Sequence, residues 1–334
     1  MLHIIRTNLL SLTGICIVAF STLLFSFASQ LNGIFTFASS ILTVNTVFLS
    51  ILIEALPFVL IGVLIAGMIQ IFVTEEHIHK WIPKNKYLAI VMSCVVGALF
   101  PACECGIVPI VRRLVSKGVP IYAAIGFMLT GPLINPIVIA STYMAFGNDL
   151  QMAGLRMIVG FVIAMIIAFI ISQLFKGNQL KSSLATKTSH IHETSNGRPF
   201  SSRFWSMLTH SIDEFFDMGK YLILGALLAA IVQTYMPAKT LLAAGDGPVA
   251  SLAIMMGLAY ILSLCSEADA FIGASFSTLF PSASVLGFLI FGPMMDLKNT
   301  IMMLSVFRFK FVMYLLALIA TVVFIVMLFI SKFI

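Results

Sequence analysis

The sequence predicts an all-α polytopic membrane protein made of two internally repeated helical bundles with discontinuous (broken) transmembrane helices. Three observations carry that reading. The 334 residues are 60% hydrophobic and only 10% charged, with a mean hydropathy of +1.09, whereas soluble domains run at about 25% charged. Apolar runs long enough to span a bilayer recur along the chain. Several are interrupted by Pro, Gly or an acidic side chain at depths where lipid would surround an unbroken helix. The net charge of +6 belongs to the positive-inside rule and points to no nucleic acid. The five cysteines lie mostly in apolar segments and do not resemble a secreted disulfide framework, so reduced thiols are expected.

His3 and Arg6 precede an apolar run from about Leu9 to Ser29. Its length of about 20 residues suits a span better than a signal peptide, so residues 1–30 read as an additional N-terminal transmembrane helix. The first repeat, 31–175, opens with a longer segment from about Val44 to Val73 that carries Glu54 and Pro57. The loop from Thr74 to Lys86 holds Glu75, Glu76, His77 and His79 without the ligand spacing of a known metal site, and reads as solvated. Tyr87 to Ala102 is too short for a complete crossing at about 1.5 Å per residue. It runs into Phe-Pro-Ala-Cys-Glu-Cys-Gly, residues 100–106.

Pro101 removes a backbone N–H and Gly106 accepts conformations that other residues avoid, so a helix break is expected there. The break puts Glu104 between Cys103 and Cys105 at membrane depth. A charge at a bilayer centre costs about 2.5–3.5 kcal/mol on insertion scales, so Glu104 should face protein or a water-filled cavity. Residues two apart on a helix point about 200° apart, so both thiols can grip one atom only where the backbone unwinds. In a continuous helix Cys103 would sooner meet Cys265.

Arg112, Arg113 and Lys117 gather before a turn at Gly118 and Pro120, and prefer the cytoplasmic side. Ile121 to Thr130 is a half-length run expected to stop at Gly131 and Pro132, with Asn135 and Pro136 beyond, and Ile137 to Phe146 resumes it. Gln151 to Phe175 spans, with Arg156 near its start. Residues 176–203, rich in Lys, Arg, Ser and Thr, read as a cytoplasmic basic linker. The second repeat, 204–334, plays the first again. Leu60 to Gln70 lines up with Ile223 to Gln233, Glu54 falls on Asp217, Glu104 on Glu267, and Cys103 within one position of Cys265. Gly131, Pro132 and Asn135 meet Gly292, Pro293 and Asp296, and Arg156 meets Arg308. Four crossings per repeat would make the repeats parallel. A re-entrant broken element would make the crossing number odd and the repeats inverted.

Discontinuous helices at matching places in two repeats point to a transporter's central site. The candidate substrate-binding residues are Cys103, Glu104, Cys105, Cys265, Glu267, Asp269, Asn135 and Asp296, with helix breaks at Pro101, Gly106, Gly131, Pro132, Gly292 and Pro293. Asn135 and Asp296 serve equally well as helix caps. Thiolates suit soft species such as As(III), Cu(I) or Zn(II).

The Cys-Glu-Cys-Gly break with Pro109 and Arg112-Arg113, followed by Leu-Thr-Gly-Pro-Leu-Ile-Asn-Pro at 129–136, resembles the bacterial predicted-permease family that includes the ArsP organoarsenical efflux permeases. The likeness covers nearly the whole chain outside the first helix and the linker. It implies a multi-pass permease of the bacterial inner membrane, with trivalent methylated or aromatic arsenicals as cargo in the characterised branch and a partner protein in some relatives. Three function classes therefore compete: a permease exporting a small thiophilic solute, a membrane thiol-disulfide oxidoreductase, and a membrane subunit of a metal-homeostasis complex. The first is favoured, since disulfide shuttling needs neither a Gly-Pro break nor a duplicated acid. No nucleotide-binding motif occurs, and no cofactor is implied.

Overall fold

The computed structural model describes residues 36–73, 85–175, 179–181, 200–235 and 247–333, with single positions at 18, 19, 22, 23, 78, 82, 83 and 177. The expected N-terminal helix, the His and Glu of the first loop and most of the linker fall largely outside the described residues.

The first half forms α1 (Thr36–Phe72), α2 (Lys86–Leu99), α3 (Glu104–Ser116), α4 (Ile121–Ile134), α5 (Pro136–Ala145) and α6 (Leu150–Leu174). The second half forms α7 (Phe200–Tyr235), α8 (Pro248–Leu262), α9 (Ser266–Phe276), α10 (Ser282–Met294), α11 (Leu297–Val306) and α12 (Phe309–Ile330). The two halves repeat one sequence of elements: a long helix, two short ones, a helix broken in the middle and a closing span. Among the described residues six stretches are long and apolar enough to cross a bilayer, two of them the interrupted pairs Ile121–Ala145 and Ser282–Val306. The 14 residues of α2 extend only about 21 Å, short of a hydrocarbon core of about 30 Å.

Local chemistry sets the boundaries. Asn85 caps α2 by accepting from Tyr87 N at 3.1 Å, and Asp149 caps α6 by accepting from Gln151 N at 2.8 Å. Pro136 stands at the first turn of α5 and Pro248 at that of α8, where a missing N–H costs nothing. The breaks between α4 and α5 and between α10 and α11 fall at Asn135 and Asp296, which cap the second half-helix of each pair. They do not fall at Gly131-Pro132 or Gly292-Pro293, which lie inside α4 and α10. A proline close to a helix end interrupts little of the ladder, whereas an extended residue whose side chain captures the next N–H ends one helix and starts another.

Packing fixes the direction of each element. Gly126 lies against Cys94 and Gly97 against Phe127 and Thr130, so α2 and α4 run parallel. The helix that links them in sequence, α3, runs the other way, since Gly131 near the end of α4 meets Ile107 near the start of α3. The pair α2 and α3 is therefore a re-entrant hairpin that turns at residues 100–103 and leaves by the face it entered. In the second half Leu252 meets Gly287 and Ala259 meets Gly292, so α8 and α10 run parallel, and α9 returns with Asp269 at Gly292 and Leu289 at Gly273. Gly67 on α1 touches Met207 and Ser211 on α7, so α1 ends on the face where α7 begins. Each half has three crossings and one re-entrant hairpin, and the halves enter from opposite faces. The repeats are inverted, the outcome expected for a re-entrant break, and the parallel arrangement of four crossings does not occur.

The face that holds residues 179–181 is here called the linker face. Leu180 pairs with Phe307, Lys181 N donates to Val306 O and Arg308 N donates to Gln179 O, tying that segment to the α11–α12 junction. At the centre, every residue of α10 except Ser282 is buried, as is every residue of α4 except Tyr122. By contrast α1, α6, α7 and α12 each keep one face of exposed apolar side chains for lipid, among them Leu60, Ile158, Leu224 and Ile325.

Candidate functional site

The inverted hairpins and broken helices bring eight half-helix ends to mid-depth. The N-termini of α3, α5, α9 and α11 meet the C-termini of α2, α4, α8 and α10 there. Each N-terminus carries roughly half a positive charge and unpaired N–H groups, so acids are favoured beside it. Accordingly Glu104 stands in the first turn of α3, Glu267 and Asp269 in that of α9, and Asp296 is the N-cap of α11.

The centre is an ion network. Lys298 Nζ lies 3.0 Å from Glu104 Oε1 and 3.7 Å from Asp296 Oδ2, and donates to Ser263 O at 3.3 Å. Ser263 is the C-cap of α8 in a left-handed conformation, so the ammonium rests at the negative end of that helix. One residue earlier, Leu262 O accepts from Gln233 Nε2 of α7. Asp296 also performs its capping job, accepting from Asn299 N at 2.5 Å. A second cation, Arg156, reaches in from α6, donating to Thr142 Oγ1 at 2.7 Å and to Ser266 O at 3.2 Å. Glu104 is 2% exposed and Asp269 1%, so these charges are out of water. Around them Glu104 Oε2, Arg156 Nε, Ser266 Oγ, both oxygens of Asp269, Asp296 Oδ2 and Asn299 Oδ1 are buried without a hydrogen-bond partner. Buried polar groups are nearly always paired, so this concentration marks a place where a solute, an ion or water completes the bonding.

The thiols stand beside this network. Cys103 is the extended N-cap of α3, so the backbone is unwound where both thiols need it to be, and the Cys105 thiol lies beside that of Cys103. Cys265, the N-cap of α9, accepts from Ala268 N at 3.4 Å and lies beside the carboxylate of Glu54. The two caps put Cys265 on Cys103, Ser266 on Glu104 and Glu267 on Cys105, one residue from the expected match of Glu104 with Glu267. Apolar helices let an alignment slide by one residue; helix caps do not. Glu267 is half-exposed and approaches the network through Arg156. Asn135 is buried, but its amide accepts from Val138 N and donates to Gly131 O, so both ends are satisfied within its own break.

Several expected roles shift. Pro101 lies in the first break, but Gly106 is helical. It serves close approach: a Cβ on Gly62 would collide with the Gly106 carbonyl, so α1 and α3 touch backbone to backbone. Arg308 is an exposed N-cap of α12 and no counterpart of buried Arg156. Lys298 was not foreseen, although a lone Lys two residues after Asp296 in an apolar segment is a legible signal. Nor was Glu214 of α7, which lies 3.2 Å from Arg112 and accepts from Arg113 at 2.5 Å, tying the first hairpin to the second half near the linker face.

Access to the centre differs between the two ends. Toward the linker face α1 packs along α3, α7 along α11, and α3 touches α11. Toward the opposite face α9 packs on α5, but among the described residues α1 makes little contact with α5, and α7 little with α9. The α1–α7 pair therefore stands off there. Glu54 and Pro101 are exposed and Cys103 and Cys265 half-exposed, at the depth where the hairpins turn.

Inverted repeats, paired re-entrant hairpins and a polar centre at their junction define a membrane permease of the kind that moves small molecules or ions. Comparison with known proteins agrees. The model of the ArsP_1 family, described as predicted permease, matches residues 40–332, and the chain belongs to this family. It is 49% identical over 288 residues to UPF0718 protein YcgR of Bacillus subtilis, covering 86% of this chain and 97% of that protein. It is 44% identical over 275 residues to a putative two-component membrane permease complex subunit of Streptococcus mutans, covering 82% of this chain and 90% of that protein. A likeness at 27% identity over 143 residues links it to UPF0718 protein MJ0584 of Methanocaldococcus jannaschii, covering 42% of this chain and 39% of that protein. No solved structure matches. The chain is thus a multi-pass permease of the bacterial cell membrane.

Proposed function

We propose that this permease exports a small thiophilic solute, an organoarsenical-like or soft metal or metalloid species, by alternating access through the centre between its repeats. The observation that carries the reading is the juxtaposition of Cys103, Cys105 and Cys265 with the buried Glu104–Lys298–Asp296 network where both hairpins turn. The thiols supply soft donors and the network supplies charge that responds to a change of helix packing. Cells with and without the gene, grown on a panel including phenylarsine oxide and soft metal salts, test the function. Protection against one class is expected, and equal sensitivity across the panel removes this cargo.

A second reading has a specific support. The Streptococcus mutans relative is described as a subunit of a two-component membrane permease complex, and this chain would assemble with a partner in the same way. Co-purification of a second membrane protein from the native host, needed for protection, distinguishes it.

A further inference from the structure

Asp269 is the acid in the centre that the ion pairs leave out. Its side chain sits in the first turn of α9, and both carboxylate oxygens are buried without a hydrogen bond. Across from it α10 presents Gly292, where an added Cβ would lie 2.8 Å from Asp269 Oδ2, and α8 presents Ala259. The charged groups around it are Arg156 from α6, Glu104 from α3, and Asp296 and Lys298 from α11, with Glu267 on its own helix. The helices packed directly on α9, α5 and α10, contain no Asp, Glu, Lys, Arg or His. Both cations have other partners: Arg156 bonds Thr142 and the Ser266 carbonyl, while Lys298 bonds Glu104 and the Ser263 carbonyl and lies near Asp296.

An ionised carboxylate with neither a hydrogen bond nor a contacting cation is the costliest form of this side chain in a dry interior, and such groups neutralise instead. A metal ion is a poor neutraliser here, since among the described residues no group of three His, Cys, Asp or Glu converges. We infer that Asp269 is a proton-binding site, and that the proton it takes up and releases is the coupling ion of the permease. The carboxylate gains a proton on one oxygen while the centre is open to one face and gives it up to the other face after the helices repack, so charge and atoms balance with water as donor and acceptor. Ser266, one turn earlier on the same face of α9 and with an unpartnered hydroxyl, connects Asp269 toward half-exposed Cys265 and Glu267. Gly292 is then required because the protonated carboxyl occupies the volume of its missing side chain. The coupling role rests on the transport reading above; the proton site does not.

The full chain in proteoliposomes tests both. Infrared spectra at neutral pH are expected to contain the C=O stretch of a buried carboxylic acid that disappears in Asp269→Asn and persists in Asp296→Asn. A spectrum lacking that band in the wild type, or keeping it in Asp269→Asn, overturns the proton site whatever the cargo is. With phenylarsine oxide as the probe, Asp269→Asn is expected to retain solute exchange across the bilayer and to lose accumulation driven by an imposed pH gradient. Loss of exchange and accumulation together, in protein that still folds, overturns the coupling role and makes Asp269 a solute ligand. A wild type that shows the infrared band yet moves no phenylarsine oxide removes the arsenical cargo and leaves the proton site supported.

Discussion

Removing the Lys298 ammonium would leave Glu104 and Asp296 close together in a dry interior, each already beside a helix N-terminus that favours its charge. Breaking a buried ion pair from one side costs about 3–5 kcal/mol, chiefly because the partner is left uncompensated. Lys298→Met should therefore lower thermal stability in detergent steeply, and Glu104→Gln combined with it should restore much of the loss. A double variant whose loss equals the sum of the two single losses would show that the pair is not coupled. At the thiols the two readings diverge cleanly. If the solute binds sulfur, Cys103→Ser or Cys105→Ser should abolish protection against phenylarsine oxide with protein still in the membrane. If the thiols only fill space, Ser is tolerated at both positions. Asp296→Asn separates its two jobs, because Asn caps α11 as well as Asp does but carries no charge toward Lys298.

Between elements, the informative contact is that of Arg112 and Arg113 with Glu214, which ties the return helix of the first hairpin to α7. Carried through the repeat, the positions corresponding to Arg112, Arg113 and Glu214 hold Ala274, Ser275 and Ile51, so this ionic tie has no counterpart in the repeat. The open end would be closed by apolar packing of α1 and α7 on α5 and α9. Glu214→Gln leaves two guanidinium groups side by side without their carboxylate, and should shift the protein toward a state open at the linker face. Cys105, buried here, should then be labelled faster by a maleimide applied to inside-out vesicles. An unchanged labelling rate would mean that the tie is not a gate. Much of this element scale was legible in the chain: a helix break within Phe100 to Gly106, the short α2 and the doubled Gly-Pro all follow from local chemistry, whereas re-entrance stayed one of two alternatives. The placement of the second break was not, because Gly-Pro looks like a helix stop until its glycine is seen facing Ile107 in one half and Asp269 in the other. The pairings of Lys298 and Glu214 were not legible for a different reason: their partners are 194 and 101 residues away, and no spacing encodes such a pair.

At the scale of the whole molecule, inverted repeats make the two faces chemically different although the helices match. Arg112, Arg113 and Lys117 end α3 at the linker face, Lys86 begins α2 there, and Arg308 and Lys310 lie at the α11–α12 junction. The turn between α5 and α6 on the opposite face carries Asn148 and Asp149 and no cation. Short loops rich in Lys and Arg stay cytoplasmic, so the linker face should be the cytoplasmic one and the stand-off between α1–α7 and α5–α9 should open outward. An outward-opening arrangement suits the releasing step of an exporter. In intact cells an impermeant maleimide should label Asn148→Cys and leave Lys86→Cys untouched, with both labelled once the membrane is permeabilised. The reverse pattern would turn the molecule over: the basic linker would lie outside, the open end would face the cytoplasm, and the same geometry would describe a permease waiting to load from within.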